Sequence, residues 1–297
     1  MIKRPVVTLV DGLGHPEGPD LLGGGKIVFV ETYRSRIASW SESGGIQIYA
    51  ACGGGPNACL LGSDGALYIT QNGGTVGAWK ASMMVEPSIQ RAWPDGTVET
   101  VATEAGGVRF LGPNDLSWGP DGCLYFTDPG DYYPDSPSMG RLLALRPDGV
   151  VDVVEELGPS YPNGIIAESD GSLLWAESYG RGLFRKRGNA KSEKLFQFEQ
   201  GHVPDGMKLD EQGNIWATTF SSGGIDIISK DGEFVDFFHT GGVPMNCVFD
   251  GDRLLVTDLG DSAEVTDQAP LTGRLWQVEV GVRGLPLHRA RIGSGEP

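Results

Sequence analysis

Runs such as KIVFVET, ALYIT and CLYFTD recur along the chain, each short and bounded by Gly, Pro, Asp or Asn. They are rich in β-branched and aromatic residues, which suit a pleated, half-buried surface. No stretch sustains a 3.6-residue apolar period, so the pattern predicts strands and little helix. Each run belongs to a longer phrase: a proline, a polar residue, a few apolar positions, a tight turn, then the run itself. The copies are HPEGPDLLGGGKIVFVET from His15, GPNACLLGSDGALYITQ from Gly55, GPNDLSWGPDGCLYFTD from Gly112, YPNGIIAESDGSLLWAES from Tyr161, VPDGMKLDEQGNIWATTF from Val203 and VPMNCVFDGDRLLVTD from Val243.

The phrase prolines are Pro16, Pro56, Pro113, Pro162, Pro204 and Pro244, spaced by 40, 57, 49, 42 and 40 residues. A period of roughly 40–50 residues is that of four-stranded propeller blades. Each phrase supplies two strands joined by a Gly-containing turn. Two more follow in each unit, for example RLLAL and VVDVVEEL around a Pro-Asp-Gly turn, or GIDIIS and FVDFF around Lys-Asp-Gly. The expected fold is all-β, a six-bladed β-propeller occupying residues 1–297 as one domain and closed by N- and C-terminal strands. PVVTLV is expected to complete the last blade beside RLWQVEV, because a ring sealed through both chain ends leaves no open edge. The other option for that outer strand is LPLHRARI. Two units carry insertions, residues 71–88 and 129–140. In repeat proteins insertions map to loops on one face, and loops of this length act as lids or binding loops.

Composition sharpens this picture. Gly (46) and Pro (19) together reach nearly double their usual share of roughly 12%, so the chain turns often. The net charge of −16 disfavours nucleic acid and anionic membranes as partners. No run approaches the roughly 18 apolar residues of a membrane span. Cys52, Cys59, Cys123 and Cys247 are scattered without a CxxC pair, so free thiols in a cytoplasmic protein are expected.

The chemistry lies in the residue after each phrase proline: Glu17, Asn57, Asn114, Asn163, Asp205 and Met245, the last followed by Asn246. Equivalent positions of successive blades encircle one axis, so these side chains should ring the channel. Most are carboxylates or amides, hard oxygen donors that suit one divalent cation. Ca²⁺ fits best, with Mn²⁺, Mg²⁺ or Zn²⁺ as alternatives. His15 and His202 flank ring positions and are candidates to touch a ligand or to support the ring. Tyr132, Tyr133 and Trp79 in the insertions are candidates for a pocket wall. Asp128, Glu177 and Asp258 end their strands and read as packing residues. Without a GxSxG motif, a serine nucleophile has no support.

HPEGP, GPND, YPNG and VPDG, in this order and spacing, resemble the SMP-30/gluconolactonase/luciferin-regenerating-enzyme-like family over residues 13–279. The resemblance implies a metal-dependent lactone hydrolase acting on a sugar lactone or related small lactone. It places the metal on Glu17, Asn163 and Asp205 with Asn114, makes Asp205 the general acid/base, and gives Asn114, Asn57 and His202 to the substrate. Sugar lactonases of the regucalcin type carry an Arg two residues before the Asn114 position; here Gly112 stands there and Arg109 is out of register. Two other readings stay open, a phosphotriesterase-like hydrolase and a non-catalytic calcium-binding propeller.

Overall fold

The computed structural model describes residues 5–260 and 269–293. Six four-stranded antiparallel sheets form the blades of a propeller. Their innermost strands are Pro16–Gly23 (blade 1), Pro56–Leu61 (blade 2), Leu116–Trp118 (blade 3), Pro162–Ala167 (blade 4), Pro204–Leu209 (blade 5) and Pro244–Asp250 (blade 6). In blades 1 to 5 the chain runs outward through four consecutive blade strands. Blade 6 receives its outermost strand from the other chain end: Val6–Leu13 pairs with Gly273–Glu279, from Val6 opposite Val278 to Leu13 opposite Gly273. The closure through PVVTLV and RLWQVEV is therefore the one adopted. A single 3-10 turn, Thr32–Arg34, is the only helical element among the described residues, and no helix there is long and apolar enough to cross a membrane.

Each blade stacks on two neighbours, so its middle strands are covered on both faces. Ile215–Thr219 and Arg141–Leu145 are buried along their whole length, whereas the outermost strand Phe234–His239 is mostly exposed. The core is accordingly a ring of wedges between blades. Tyr68, Trp118 and Phe126 fill one between blades 2 and 3; Leu174, Met207 and Ala217 fill another between blades 4 and 5; Trp216, Cys247 and Trp276 fill a third between blades 5 and 6. All four cysteines are free.

Hydroxyls staple the wedges at one end of the ring. Thr32, Thr70, Thr127, Ser178 and Thr218, each near the end of its blade's second strand, donate to a backbone carbonyl at the start of the next blade, respectively Pro56, Asn114, Asn163, Pro204 and Met245. The strand-end acids grip the blade's own third strand. Asp128 pairs with Arg141 and also accepts the N–H groups of Leu111 and Gly112, and Asp258 pairs with Arg274. Glu177 differs, accepting a 3.1 Å hydrogen bond from the Trp175 indole.

The alternative outer strand, LPLHRARI, lies elsewhere. Residues 283–293 form a strap across the end of the channel remote from the staples. Leu285 N–H donates to the Leu209 carbonyl (2.9 Å), Ser63 N–H to the Ala290 carbonyl (2.7 Å) and Gly293 N–H to the Pro147 carbonyl (2.8 Å). Midway, the Arg289 guanidinium grips the fully buried Asp20 carboxylate with both ends of its fork. Leu285 and Leu287 cap a small cavity lined by Leu60, Trp118, Ala167 and Leu209, from the far ends of four inner strands.

Candidate active site at the channel mouth

At the stapled end a cavity of about 740 Å³ opens to solvent. Glu17, Asn57, Asn114, Asn163, Asp205 and Met245 all line it. The inner strands bring them together because each enters the channel at its phrase proline. The residue after the ring position is then glycine in blades 1, 4 and 5 for a packing reason: a Cβ on Gly18 would stand 2.3 Å from the Ala58 Cα of blade 2. A Cβ on Gly164 would stand 2.4 Å from the Asp205 carbonyl oxygen, and one on Gly206 would stand 2.1 Å from the Asn246 Cγ. Adjacent inner strands approach too closely for a side chain between them.

Glu17, Asn114, Asn163 and Asp205 are buried; Asn57 and Met245 are half-buried. The Asn163 amide donates to the Ser178 hydroxyl (3.2 Å), which itself donates to the Pro204 carbonyl, so a blade 4 ring side chain is tied to the backbone beside Asp205. The Asn114 amide reaches the Tyr161 hydroxyl at 3.5 Å. Burial pushes the carboxyl groups of Glu17 and Asp205 well above the usual range; the charges of Asp205 and Asp115 add to the effect at Glu17, and that of Asp115 at Asp205. Among the described residues neither forms an ion pair.

Beneath the ring sits a carboxylate that one-residue-per-phrase reading overlooks. Asp115 is buried, accepts the Leu116 N–H (2.8 Å) and the Asn246 amide (3.5 Å), and is countered by the charge of Lys208. The adjacent acid in the PND triplet and the lysine in VPDGMK were its sequence signals.

His15 and Tyr161, the residues before two of the phrase prolines, both take the left-handed region with φ of 54° and both line the cavity. Non-glycine residues pay for that conformation and cluster at functional sites. His15 packs edge-on against Tyr33, its Nδ1 has no partner, and burial lowers its pKa to about 4. Tyr132, Tyr161 and Phe220 form an aromatic wall, with Tyr132 in edge contact with both of the others.

The two insertions meet above this wall. Residues 71–88 contain a small hairpin, Thr75–Val76 with Trp79–Lys80. Gly77 at its tip donates N–H to Asp131 Oδ1 (3.0 Å) and accepts from the Tyr133 hydroxyl (2.8 Å). Of the aromatic candidates, Tyr132 lines the cavity; Trp79 packs on Tyr33, and Tyr133 holds the hairpin from outside. His202 is placed away from the cavity wall: its Nδ1 bonds Asp226 Oδ2 at 2.8 Å and its ring lies against Phe237. Arg109 is likewise outside, paired with Glu86 at 2.7 Å, while Gly112 lines the cavity. Tyr161, Phe220 and Asp131 were not foreseen: Asp131 lies in an insertion, and the residue types at the Tyr161 and Phe220 positions differ from blade to blade.

As a cation site the ring offers two carboxylates and amide oxygens. Among the described residues no three His, Cys, Asp or Glu side chains converge on a metal position. The oxygen-only donor set and the unpaired buried charge of Glu17 and Asp205 fit a hard divalent ion.

Comparison with known proteins gives a consistent result. Residues 15–259 match the family model described as the SMP-30/gluconolactonase/LRE-like region. A gluconolactonase of Zymomonas mobilis is 27% identical over 286 aligned residues, covering 84% of this chain and 76% of its own. A pentonolactonase of Haloferax volcanii is 28% identical over 182 residues, covering 54% of this chain and 62% of its own. Among solved structures, a luciferin-regenerating enzyme superposes with a TM-score of 0.79 at 21% identity, covering 97% of this chain and 100% of that one. The calcium-binding protein regucalcin of Agrobacterium tumefaciens gives 0.79 at 18% identity, covering 98% of both. These likenesses show the fold.

Proposed function

Because the chain belongs to the SMP-30/gluconolactonase/LRE-like family, we propose that it is a lactone hydrolase that uses one divalent metal ion, Ca²⁺ by preference. The observation that carries this reading is the ring itself: Glu17, Asn163 and Asp205, with Asn114, line one cavity mouth, and among the described residues its two carboxylates have no basic partner. The naming of two relatives as lactonases supports the substrate class.

Glu17, Asn163, Asp205 and Asn114 would hold the ion. A bound divalent cation supplies Lewis acidity toward the ester carbonyl. Asp205 takes the proton of the attacking water and returns it to the leaving alkoxide. A weak base of this kind is sufficient for a strained cyclic ester and insufficient for an amide. Asn114 and Asn57 donate amide hydrogen bonds that orient the oxygens of the substrate. The aromatic wall excludes water from one side of the ring.

The test is a panel of aldonolactones, aliphatic lactones and phosphotriesters, each assayed with Ca²⁺, Mn²⁺, Mg²⁺ and Zn²⁺ and again in excess chelator. Metal-dependent opening of a lactone is expected. Full activity in excess chelator would overturn the metal's role, and turnover of phosphotriesters alone would overturn the substrate class.

A further inference from the structure

Lys208 is buried on the same innermost strand as Asp205. It is the only basic residue in the six innermost strands. Its ammonium donates to the Met207 carbonyl (3.1 Å) and, among the described residues, forms no ion pair. Water solvates an ammonium far better than this surrounding does, so a lysine here costs stability. Packing does not ask for one: Leu116, Ile166 and Leu209 share with it the lining of the cavity under the strap.

The acids along the channel fall into two groups. Asp20 is held by Arg289 and Asp250 by Arg253. Glu17, Asp115 and Asp205 have no ion-pair partner among the described residues, and the charge of Asp115 reaches both of the others. Both Asp115 oxygens act as acceptors, one from the Leu116 N–H (2.8 Å) and one from the Asn246 amide (3.5 Å). The charge of Lys208 opposes that of Asp115. When an ion seats on Glu17 and Asp205, the buried cluster thus holds three carboxylates and one ammonium, a net charge of −2.

We propose that Lys208, by offsetting Asp115 beneath the ring, sets the charge of the ion the site accepts and makes it favour divalent over trivalent cations. The proposal rests on the metal reading above. With Lys208 in place a divalent ion brings the cluster to neutrality, and a trivalent ion leaves a positive charge buried. Without Lys208 the trivalent ion becomes the neutral match. Without the Asp115 carboxylate the trivalent ion is disfavoured further. A unit charge about 8 Å from the ion, at an effective dielectric of about 20, changes affinity on the order of 30-fold for each charge the ion carries. Lys208 does not line the mouth cavity, so it acts through the field and not by ligation.

The test compares Ca²⁺ with Tb³⁺, which has nearly the same radius, the same taste for oxygen ligands and one more charge. Tb³⁺ binding is read from its luminescence and Ca²⁺ binding from displacement of Tb³⁺, all at one pH. Lys208→Met should shift the ratio of Tb³⁺ to Ca²⁺ affinity toward Tb³⁺ by about tenfold or more, and Asp115→Asn should shift it as far the other way. The double variant should return to within about threefold of the unmodified protein, and Lys208→Arg, which keeps the charge, should stay there too. A purely structural role would weaken both ions together and leave the ratio fixed. Thermal melts verify folding; if Lys208→Met does not fold, Asp115→Asn and the double variant decide. A ratio unmoved in the folded single variants, or moved the same way in both, would overturn the proposal while leaving the metal reading intact. Failure of the unmodified protein to bind either ion would sink the metal reading and the proposal with it.

Discussion

The Thr127 hydroxyl donates a 2.9 Å hydrogen bond to the backbone carbonyl of Asn163, across the seam between blades 3 and 4. A ring residue is thus held partly by the blade before its own. Thr127→Val keeps the shape and removes the donor, leaving a buried carbonyl unsatisfied. Stability should fall by about 1–2 kcal/mol, read by urea unfolding with an unchanged m-value. A loss confined to experimental error would mean the staple is incidental.

Gly164 tests the close approach of inner strands. Gly164→Ala drives a methyl into the Asp205 carbonyl, a backbone atom that cannot rotate away. The expected cost is about 3 kcal/mol, together with weakened metal binding because Asp205 is displaced. Gly158 has open space around it and no left-handed φ, so Gly158→Ala should stay within about 0.5 kcal/mol.

Metal binding should appear as thermal stabilisation. Calcium at about 100 times its Kd adds roughly 2.7 kcal/mol to a protein that binds it only when folded. Glu17→Gln and Asp205→Asn should each abolish most of that calcium-dependent rise in Tm and all lactone turnover. A variant of either residue with wild-type turnover would remove it from the proposed machinery.

The strap should matter to the fold and not to the chemistry. Arg289→Ala strips a buried carboxylate of its partner while the Leu61 and Leu21 N–H groups remain on Asp20. Arg289 is partly solvent-exposed, so the loss should be about 2–3 kcal/mol, below that of a fully buried pair. The exposed Arg146–Asp148 pair provides the contrast: Arg146→Ala should leave the urea midpoint unchanged within error.

The blade count was legible because every blade solves the same packing problem with its two inner strands, and the six phrases repeat that solution. The ring positions followed, since one offset from the phrase proline marks the same place in each blade. Other features were misread or invisible for physical reasons. Gly164 and Gly206 look like turn residues in one dimension, yet each sits in a strand where a neighbouring blade leaves no room. His202 looked like a ring neighbour by spacing, but its side chain turns to Asp226 in its own blade. Asp131 belongs to an insertion, whose course depends on contacts with the other insertion, while Tyr161 and Phe220 flank blade strands at positions where the other blades carry no common residue type. Residues 283–293 alternate in no regular way, so nothing in their pattern announced a strap.

The seal between Val6–Leu13 and Gly273–Glu279 also sets a timetable. Val6–Leu13 acquires its partner only after the five intervening blades have been synthesised, while blades 1 to 5 pair within their own stretches of chain. Until then the growing chain carries unpaired strand edges, the feature most prone to joining other molecules. Closure across so long a loop is intrinsically slow. Completion of the circle should therefore be the slowest step on the way to the native state, and the interval before it the period of greatest exposure to aggregation and chaperone capture.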